Sequence, residues 1–192
     1  MNQQINEACA QVVALHEKFC QEQNDQMVAL AKRLAGLFAE EGQLLLAGHG
    51  HMAAIAQLMA AQFAFRLDFD RPVLPALCLG SDPLLSARMM AEGQFEQHLV
   101  RHYRAVNSQH HLLLVCSDGS AAPELQALVE ETLENEQAVV LLSGDCRKDP
   151  LFKDDLDVCI DLATDSMPRL LELAQFAGHL LCELVEKELF GR

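Results

Sequence analysis

The amino-acid sequence predicts an α/β fold, a three-layer α-β-α sandwich around a mainly parallel sheet of five strands. Two segments carry this prediction. Apolar residues 44–47 run into a Gly-rich turn and an alanine-rich helix, and apolar residues 112–115 run into a Gly/Ser turn and another helix. Such strand-turn-helix units are typical of parallel sheets with helices on both faces. Because ligands bind at the carboxyl ends of parallel strands, both turns are predicted to line a binding site.

The periodicity of apolar residues places the other elements in order along the chain. Helices are predicted at 5–21, 25–40, 52–67, from 83 onwards, 94–106, 121–135 and 168–190, and strands at 43–47, 71–78, 111–116, 137–142 and 157–162. Asn24 and Asp25 are predicted to separate the first two helices and to cap the second. Asp82 is predicted to cap the helix that Pro83 opens. The first two helices are therefore an N-terminal addition to the α/β core.

The length of 192 residues and the 51% hydrophobic content predict one well-buried domain. Residues 1–41 form the helical pair, which we assign to oligomerisation, and residues 42–192 form the α/β core. No apolar run reaches the roughly 18 residues of a membrane span. The polar N-terminus lacks a signal-peptide pattern, which predicts a cytoplasmic protein. The charged stretch 147–155 is predicted to be a surface loop.

Charge and composition exclude several classes of partner. The net charge of −14 argues against nucleic acid and against an anionic membrane surface, since both need a basic face, whereas a basic protein partner stays open. The seven cysteines are odd in number, widely spaced and without a CxxC pair. This pattern argues against a disulfide framework and a zinc knuckle. Most cysteines are expected to be small buried residues in a reducing compartment.

Several short motifs share one resemblance. They are Gly48-x-Gly50 followed by Ala53-Ala54-x-Ala56-Gln57, then Arg71-Pro72-x-Leu74-Pro75-Ala76, Gly119, Pro168-Arg169, and the block from Gly178 to Glu186. The chain resembles SIS-domain (sugar isomerase) proteins of the sedoheptulose 7-phosphate isomerase, or phosphoheptose isomerase, type. That group also contains the DnaA initiator-associating protein DiaA. The resemblance implies a SIS/flavodoxin-like fold and a homotetramer, or a dimer, with active sites between subunits.

The resemblance also shows where this chain departs from the family at the first turn and the last helix. The family serine that contacts phosphate falls on Met52, a metal-ligating histidine on Leu58, and the glutamate of the metal site and proton transfer on Gln62. A family glutamine falls on Leu171, whereas the family histidine is kept as His179. An amide cannot take up a proton as a carboxylate does. Leucine has no donor atom for a metal.

The second turn departs from the family as well. Three phosphate-binding serine positions carry Cys116, Asp118 and Ala121, Ser117 replaces a threonine, and Ser120 stands where asparagine is usual. A carboxylate about 4 Å from a phosphate costs about 4 kcal/mol at an effective dielectric constant near 20. The turn is therefore expected to bind phosphate poorly unless Asp118 points away or caps the next helix.

These departures lead to the following assignment. The chain is predicted to be a non-catalytic SIS-domain protein, an oligomeric scaffold or a sensor of a sugar phosphate, with DiaA-like contact to a replication initiator as one version. The alternative is a phosphoheptose isomerase with shifted catalytic residues, and a third interpretation is an interaction protein with a closed, empty pocket. No cofactor is predicted. The candidate residues are the catalytic remnants His179 and Gln62 and the ligand-binding residues Gly48, His49, Gly50, His51, Met52, Asp82, Ser117, Asp118, Gly119 and Ser120.

A replacement metal site is the less favoured interpretation of the two turn histidines, His49 and His51, with His179. His98 and His102 have a metal-ligand spacing on one helix, but a solvated helix face is the preferred interpretation.

One cysteine and two arginines are predicted to have structural roles only. Cys116 lies beside a helix N-terminus, which can lower a thiol pKa, yet a packing role is preferred. Arg66 and Arg71 are expected to form surface ion pairs.

Overall fold

The computed structural model describes residues 1–106 and 110–191, and its centre is a five-stranded sheet. The strands are β1 (Gln43–Gly48), β2 (Ala76–Cys78), β3 (His111–Cys116), β4 (Ala138–Ser143) and β5 (Val158–Asp161). They lie in the order β2-β1-β3-β4-β5, and every neighbouring pair is parallel. The predicted α/β fold is confirmed, with a fully parallel sheet. The order reverses between β1 and β3, so this is the topological switch point of the sheet.

Helices cover both faces of the sheet. They are α1 (Asn2–Glu22), α2 (Asn24–Ala39), α3 (His51–Ala64), α4 (Pro83–Ala91), α5 (His98–Val106), α6 (Pro123–Glu134) and α7 (Met167–Phe190). Successive strand residues point to opposite faces. Leu44 and Leu46 pack into a core with α2, α3 and α7, whereas Leu45 and Ala47 pack into a second core with α5 and α6. These two cores give the predicted three layers.

Several boundaries differ from the sequence-based prediction for local reasons. α2 begins at Asn24 with Gln23 in the capping position, so Asn24 is helical and is not the cap. β2 has only three residues, because Pro72 and Pro75 lack the N–H that a sheet needs. The helix predicted from 94 begins as a 3₁₀ turn at Phe95–Gln97 before α5. The cap at Asp82 is confirmed, since its Oδ1 accepts the N–H groups of the residues two and three positions later.

A disulfide corrects the expectation for the cysteines. Cys146 follows β4, Cys159 lies in β5, and the two sulfurs are bonded. Cys9 and Cys20 are exposed on α1 rather than buried. Cys116 is fully buried in β3, and burial raises the pKa of its thiol, which agrees with the packing role. The sequence spacing did not reveal the disulfide, because two parallel strands that are adjacent in the sheet bring the two cysteines together.

Replacing Cys159 with serine is expected to lower the free energy of unfolding by about 3 kcal/mol, because the disulfide closes a loop in the unfolded chain. The sequence separation of the two cysteines is 13 residues. Urea unfolding measures this difference, and Cys9→Ser, at an exposed free thiol, is the matched control. Alkylation of denatured, unreduced protein is expected to label five cysteines. Labelling of all seven would contradict the disulfide.

An ion pair that was expected at the surface lies in the interior. The Arg71 side chain is 0% exposed, and its Nε donates to Glu186 Oε1 on α7 at 2.5 Å. Its two terminal nitrogens donate to the carbonyl oxygens of Phe63 and Gln62 at 3.0 and 2.9 Å. These carbonyls belong to the last turn of α3, where backbone acceptors lack helical partners. Arg71 therefore joins the end of α3 to α7.

The prediction of surface positions is confirmed for Arg66, which pairs with the exposed Asp70. It is wrong for part of the stretch 147–155. Asp149 is buried and accepts a hydrogen bond from the Ser143 hydroxyl at 2.5 Å, and Leu151 is buried beside it. Burial follows because this segment crosses the end of β4 and returns to β5.

Among residues 1–106 and 110–191, the structure contains no helix with the length and hydropathy of a membrane span.

Candidate functional site

The first predicted turn connects β1 to α3 at the switch point. Gly48 ends β1, and a Cβ atom there would lie 2.6 Å from the carbonyl oxygen of Met52, so only glycine fits. Gly50 has a φ of +54°, in the region that L side chains rarely adopt. His49 lies between these two glycines. The two glycines therefore define the backbone conformation of the turn, and this conformation fixes the position from which the His49 side chain extends.

A cavity of about 270 Å³ opens beside this turn. Its lining combines the first turn, the end of β2, and residues of five helical segments: Gly48, His49, Gly50, Ala53, Gln57, Cys78, Leu79, Gly80, Ser86, Phe95, His98, Leu99 and Glu124. A larger cavity of about 440 Å³ lies at the ends of β4 and β5, between charged side chains. We take the smaller cavity as the candidate site because it lies at the switch point and contains the predicted turn residues.

A histidine and a buried carboxylate meet in this cavity. His49 Nδ1 lies 2.5 Å from Glu124 Oε1. The Glu124 side chain is 7% exposed, whereas that of His49 is 39% exposed. Glu124 lies in the first turn of α6, where the helix dipole stabilises a negative charge. With the carboxylate ionised, this contact assigns the ring proton to Nδ1 and leaves Nε2 as an acceptor.

The second predicted turn is closed by its own side chains. Ser117 is buried, and its hydroxyl oxygen accepts the N–H of Gly119 at 3.1 Å. Asp118 Oδ1 accepts the N–H of Ser120 at 3.0 Å and the Ser120 hydroxyl at 2.5 Å. A Cβ atom on Gly50 would lie 3.7 Å from Asp118 Oδ2, so this carboxylate borders the first turn. The groups that would hold an anion already bind the chain's own carboxylate.

The ionised state of Asp118 follows from these contacts. Partial burial by itself would raise the pKa of its carboxyl. The hydrogen bonds from Ser120 and the charge on nearby His49 outweigh burial, so the pKa is lower than usual. Asp118 therefore carries a negative charge at neutral pH within the turn where the family resemblance expects phosphate.

The prediction that His98 and His102 lie on a solvated face of their helix is wrong. His98 is buried, its Nδ1 donates to the Phe95 carbonyl oxygen at 2.6 Å, and its ring stacks on that of Phe95. His102 Nδ1 accepts the N–H of Gly80 at 3.0 Å. Burial is the main cause of the lowered pKa of His102, which favours its neutral form. His102 therefore fixes the loop after β2 at the edge of the cavity, and His98 is held by the 3₁₀ turn that precedes α5.

Seven of the ten residues predicted to bind ligand lie outside the cavity lining, namely His51, Met52, Asp82 and residues 117–120 of the second turn. Met52 is fully buried in the core, because helical spacing turns it to the inner face of α3, so its side chain cannot contact a ligand. His51 is exposed at the first position of α3. Asp82 is committed to capping α4. The roles of Gly48, His49 and Gly50, which do line the cavity, stay predictions.

The two catalytic remnants, Gln62 and His179, do not line the cavity. Gln62 is in the last turn of α3, and His179 is in α7, where its Nε2 is 2.6 Å from Gln175 Nε2. In the described chain, the buried amide oxygens Gln62 Oε1 and Gln175 Oε1 have no hydrogen-bond partner. These two amide oxygens therefore lie on α3 and α7 and do not line the cavity.

The residues present do not fit the metal site that the resemblance implies. Leu58 is 46% exposed and Leu171 is partly buried, and neither has a donor atom. Within the part of the chain that the structure describes, no three His, Cys, Asp or Glu side chains come together to hold a metal ion. His49, His51 and His179 are likewise dispersed over a turn and two helices. We derive no chemical step through a metal.

Sequence reasoning missed one residue of this site, Glu124, and placed another, His98, on a solvated helix face. Glu124 follows Pro123 in the first turn of α6, a position that signals helix capping rather than catalysis. The only available signal was topological: α6 begins directly after the second turn, at the same edge of the sheet as His49. His98 was noted for its spacing, but its partner Phe95 was not.

The fold and the cavity together define a doubly wound α/β protein with a cavity at the switch point. Residues 9–144 match the SIS domain. A phosphoheptose isomerase of Desulfovibrio desulfuricans is 32% identical over 176 residues, which cover 92% of this chain and 83% of that protein. One from Chlorobaculum tepidum is 32% identical over 177 residues, covering 90% and 83%.

A structural neighbour agrees with this match. The structure of a phosphoheptose isomerase from Francisella tularensis has a TM-score of 0.87 at 21% identity, covering 96% of this chain and 97% of that one. The chain belongs to the SIS-domain family, within its phosphoheptose isomerase group. The resemblance drawn from the motifs is therefore confirmed for that group. The link to DiaA stays a prediction.

Proposed function

We propose that this protein is an aldose–ketose isomerase acting on a sugar derivative related to heptose phosphates. The observation that carries the proposal is the cavity at the switch point, which an imidazole and a nearly buried carboxylate help to line. Isomerisation moves a proton between adjacent carbons, so it requires an acid–base group in such a cavity. The similarity to phosphoheptose isomerases over about nine-tenths of the chain supports the same reaction class.

The sequence-based prediction of a non-catalytic protein remains as a second candidate. The closed turn at Asp118 favours it, because a carboxylate fills the place where the resemblance expects a phosphate. The substitutions at Gln62, Leu58 and Leu171 favour it as well. In this case the cavity would bind a ligand without turnover, as in a sensor or a scaffold.

Incubation of the pure protein with sedoheptulose 7-phosphate in D₂O distinguishes the two candidates. An isomerase is expected to form the aldose isomer and to introduce deuterium next to the carbonyl group, both visible by proton NMR. A ligand sensor is expected to show a thermal shift with the sugar phosphate and no exchange. The absence of both isomerisation and a thermal shift would contradict both candidates. Sedoheptulose without phosphate, tested in parallel, reports whether the closed turn has changed the substrate.

Self-association is a separate proposal. The helix α1 exposes Ile5 and Val13, 67% and 50% exposed, and α3 exposes Leu58. A second copy of the chain would cover such residues, in keeping with the assignment of residues 1–41 to oligomerisation. Sedimentation equilibrium is expected to give a tetramer or a dimer, and a monomer would contradict the proposal. Contact with a replication initiator rests on the resemblance alone.

A further inference from the structure

We infer that His49 and Glu124 form the acid–base pair of this protein, with His49 as the catalytic residue and Glu124 as its positioning residue. The inference rests on the proposed isomerase function and deepens it. It replaces the family proton-transfer position at Gln62, which holds an amide, with a pair at the switch point of the sheet.

The geometry gives each member a distinct role. Glu124 is nearly inaccessible, and its Oε1 is 2.5 Å from His49 Nδ1. This contact orients the ring and fixes the tautomer. Nε2 is then the ring atom left to exchange a proton in the cavity. The side chain of His49 is more than a third exposed, which leaves it accessible to a ligand.

Two carboxylates lie close to His49. Glu124 approaches from α6, and the ionised Asp118 approaches from the turn after β3. His98 faces the same cavity from α5, with Nδ1 donating to a carbonyl oxygen, so its Nε2 is also an acceptor when the ring is neutral. Among the described residues that line the cavity, none is Lys or Arg. An imidazolium on His49 therefore meets two carboxylates and no fixed cation.

The proposed reaction balances without another cofactor. His49 Nε2 takes a proton from C1 of the ketose, the C–H electron pair forms the C1–C2 double bond, and the C2 oxygen takes a proton from solvent water. The enediol then loses the proton of its C1 hydroxyl to water, the C1 carbonyl forms, and His49 returns its proton to C2. C1 is oxidised and C2 is reduced within one molecule.

The test compares His49→Asn and Glu124→Gln with the wild-type protein, using sedoheptulose 7-phosphate and the deuterium exchange assay. Asparagine keeps a polar side chain in the turn and removes the imidazole. We expect kcat to fall about 100- to 10,000-fold for His49→Asn, the usual contribution of a general base. His16→Asn, on α1 and outside the cavity, is the matched control and is expected to keep wild-type kcat.

Glu124→Gln keeps the shape of the side chain and removes its charge. We expect a lower kcat, and an acidic limb of the kcat/KM profile that moves to lower pH, because the imidazolium loses its carboxylate partner. A merely structural glutamate would not move the pH profile. Equal melting temperatures of the variants show that the fold is kept.

The experiment distinguishes failure of the acid–base pair from failure of the isomerase proposal. An active wild-type protein whose His49→Asn variant is equally active would overturn the pair and leave the isomerase proposal intact. A wild-type protein without isomerisation or exchange would overturn both.

Discussion

Replacement of Glu186 with alanine is expected to lower the free energy of unfolding by about 3 to 5 kcal/mol, the usual cost of breaking a buried ion pair. The substitution leaves Arg71, fully buried, with a charge that has no carboxylate beside it. The Glu186 oxygen also accepts the N–H of Leu67 at 3.3 Å, so that donor loses its partner too. Urea unfolding monitored by circular dichroism measures the difference.

The control is Glu188→Ala, which removes an exposed carboxylate from the same helix and is expected to change stability by less than about 0.5 kcal/mol. The double variant Arg71→Met/Glu186→Leu adds a further check. It removes both charges together, and apolar replacement of a buried pair is often neutral. It is therefore expected to be more stable than Glu186→Ala. Equal stabilities of wild type and Glu186→Ala would refute the buried pair.

Replacement of Asp118 with serine is expected to raise the affinity for phosphate by up to about a thousandfold. One repulsive pair at about 4 Å corresponds to about 4 kcal/mol at an effective dielectric constant near 20. The change removes a carboxylate whose pKa is lower than usual, so it is charged across the neutral range. It also frees the N–H of Ser120, which can then donate to an anion. Calorimetry with inorganic phosphate and with sedoheptulose 7-phosphate measures the gain.

The variant Asp118→Asn separates the effect of removing the charge from the effect of freeing the Ser120 N–H. The amide oxygen of asparagine can still accept the N–H of Ser120, so the turn stays closed while the charge is removed. Its affinity for phosphate is expected to lie between those of the wild type and Asp118→Ser. Unchanged affinity in both variants would show that the turn after β3 is not an anion site in this protein.

The sequence predicted the order of elements and the two turns well, because those features depend on local composition. Apolar runs such as 112–115, which end in a Gly/Ser turn, are typical of buried strands, and Gly48 and Gly50 permit a turn that other residues do not. The strand over 71–78 was predicted too long, because hydropathy does not register the missing N–H groups of Pro72 and Pro75.

The contents of the site were predicted less well, because they depend on residues far apart in the chain. His49 and Glu124 are 75 positions apart, and Arg71 and Glu186 are 115 apart. Met52 was assigned to the ligand by its place in the turn. The rotation of α3 then carried its side chain into the core, which no single-position argument reveals.

The sequence by itself determined the α/β class, the edge of the sheet where a ligand would lie, and the absence of the family's metal donors at Leu58, Gln62 and Leu171. The tertiary structure alone decided which side chains meet there. It paired His49 with a buried carboxylate and closed the second turn on Asp118. The physical reason is that backbone preferences and burial are set by neighbouring residues, whereas a proton-transfer pair forms only when the packing of separate strands and helices fixes its distance and exposure.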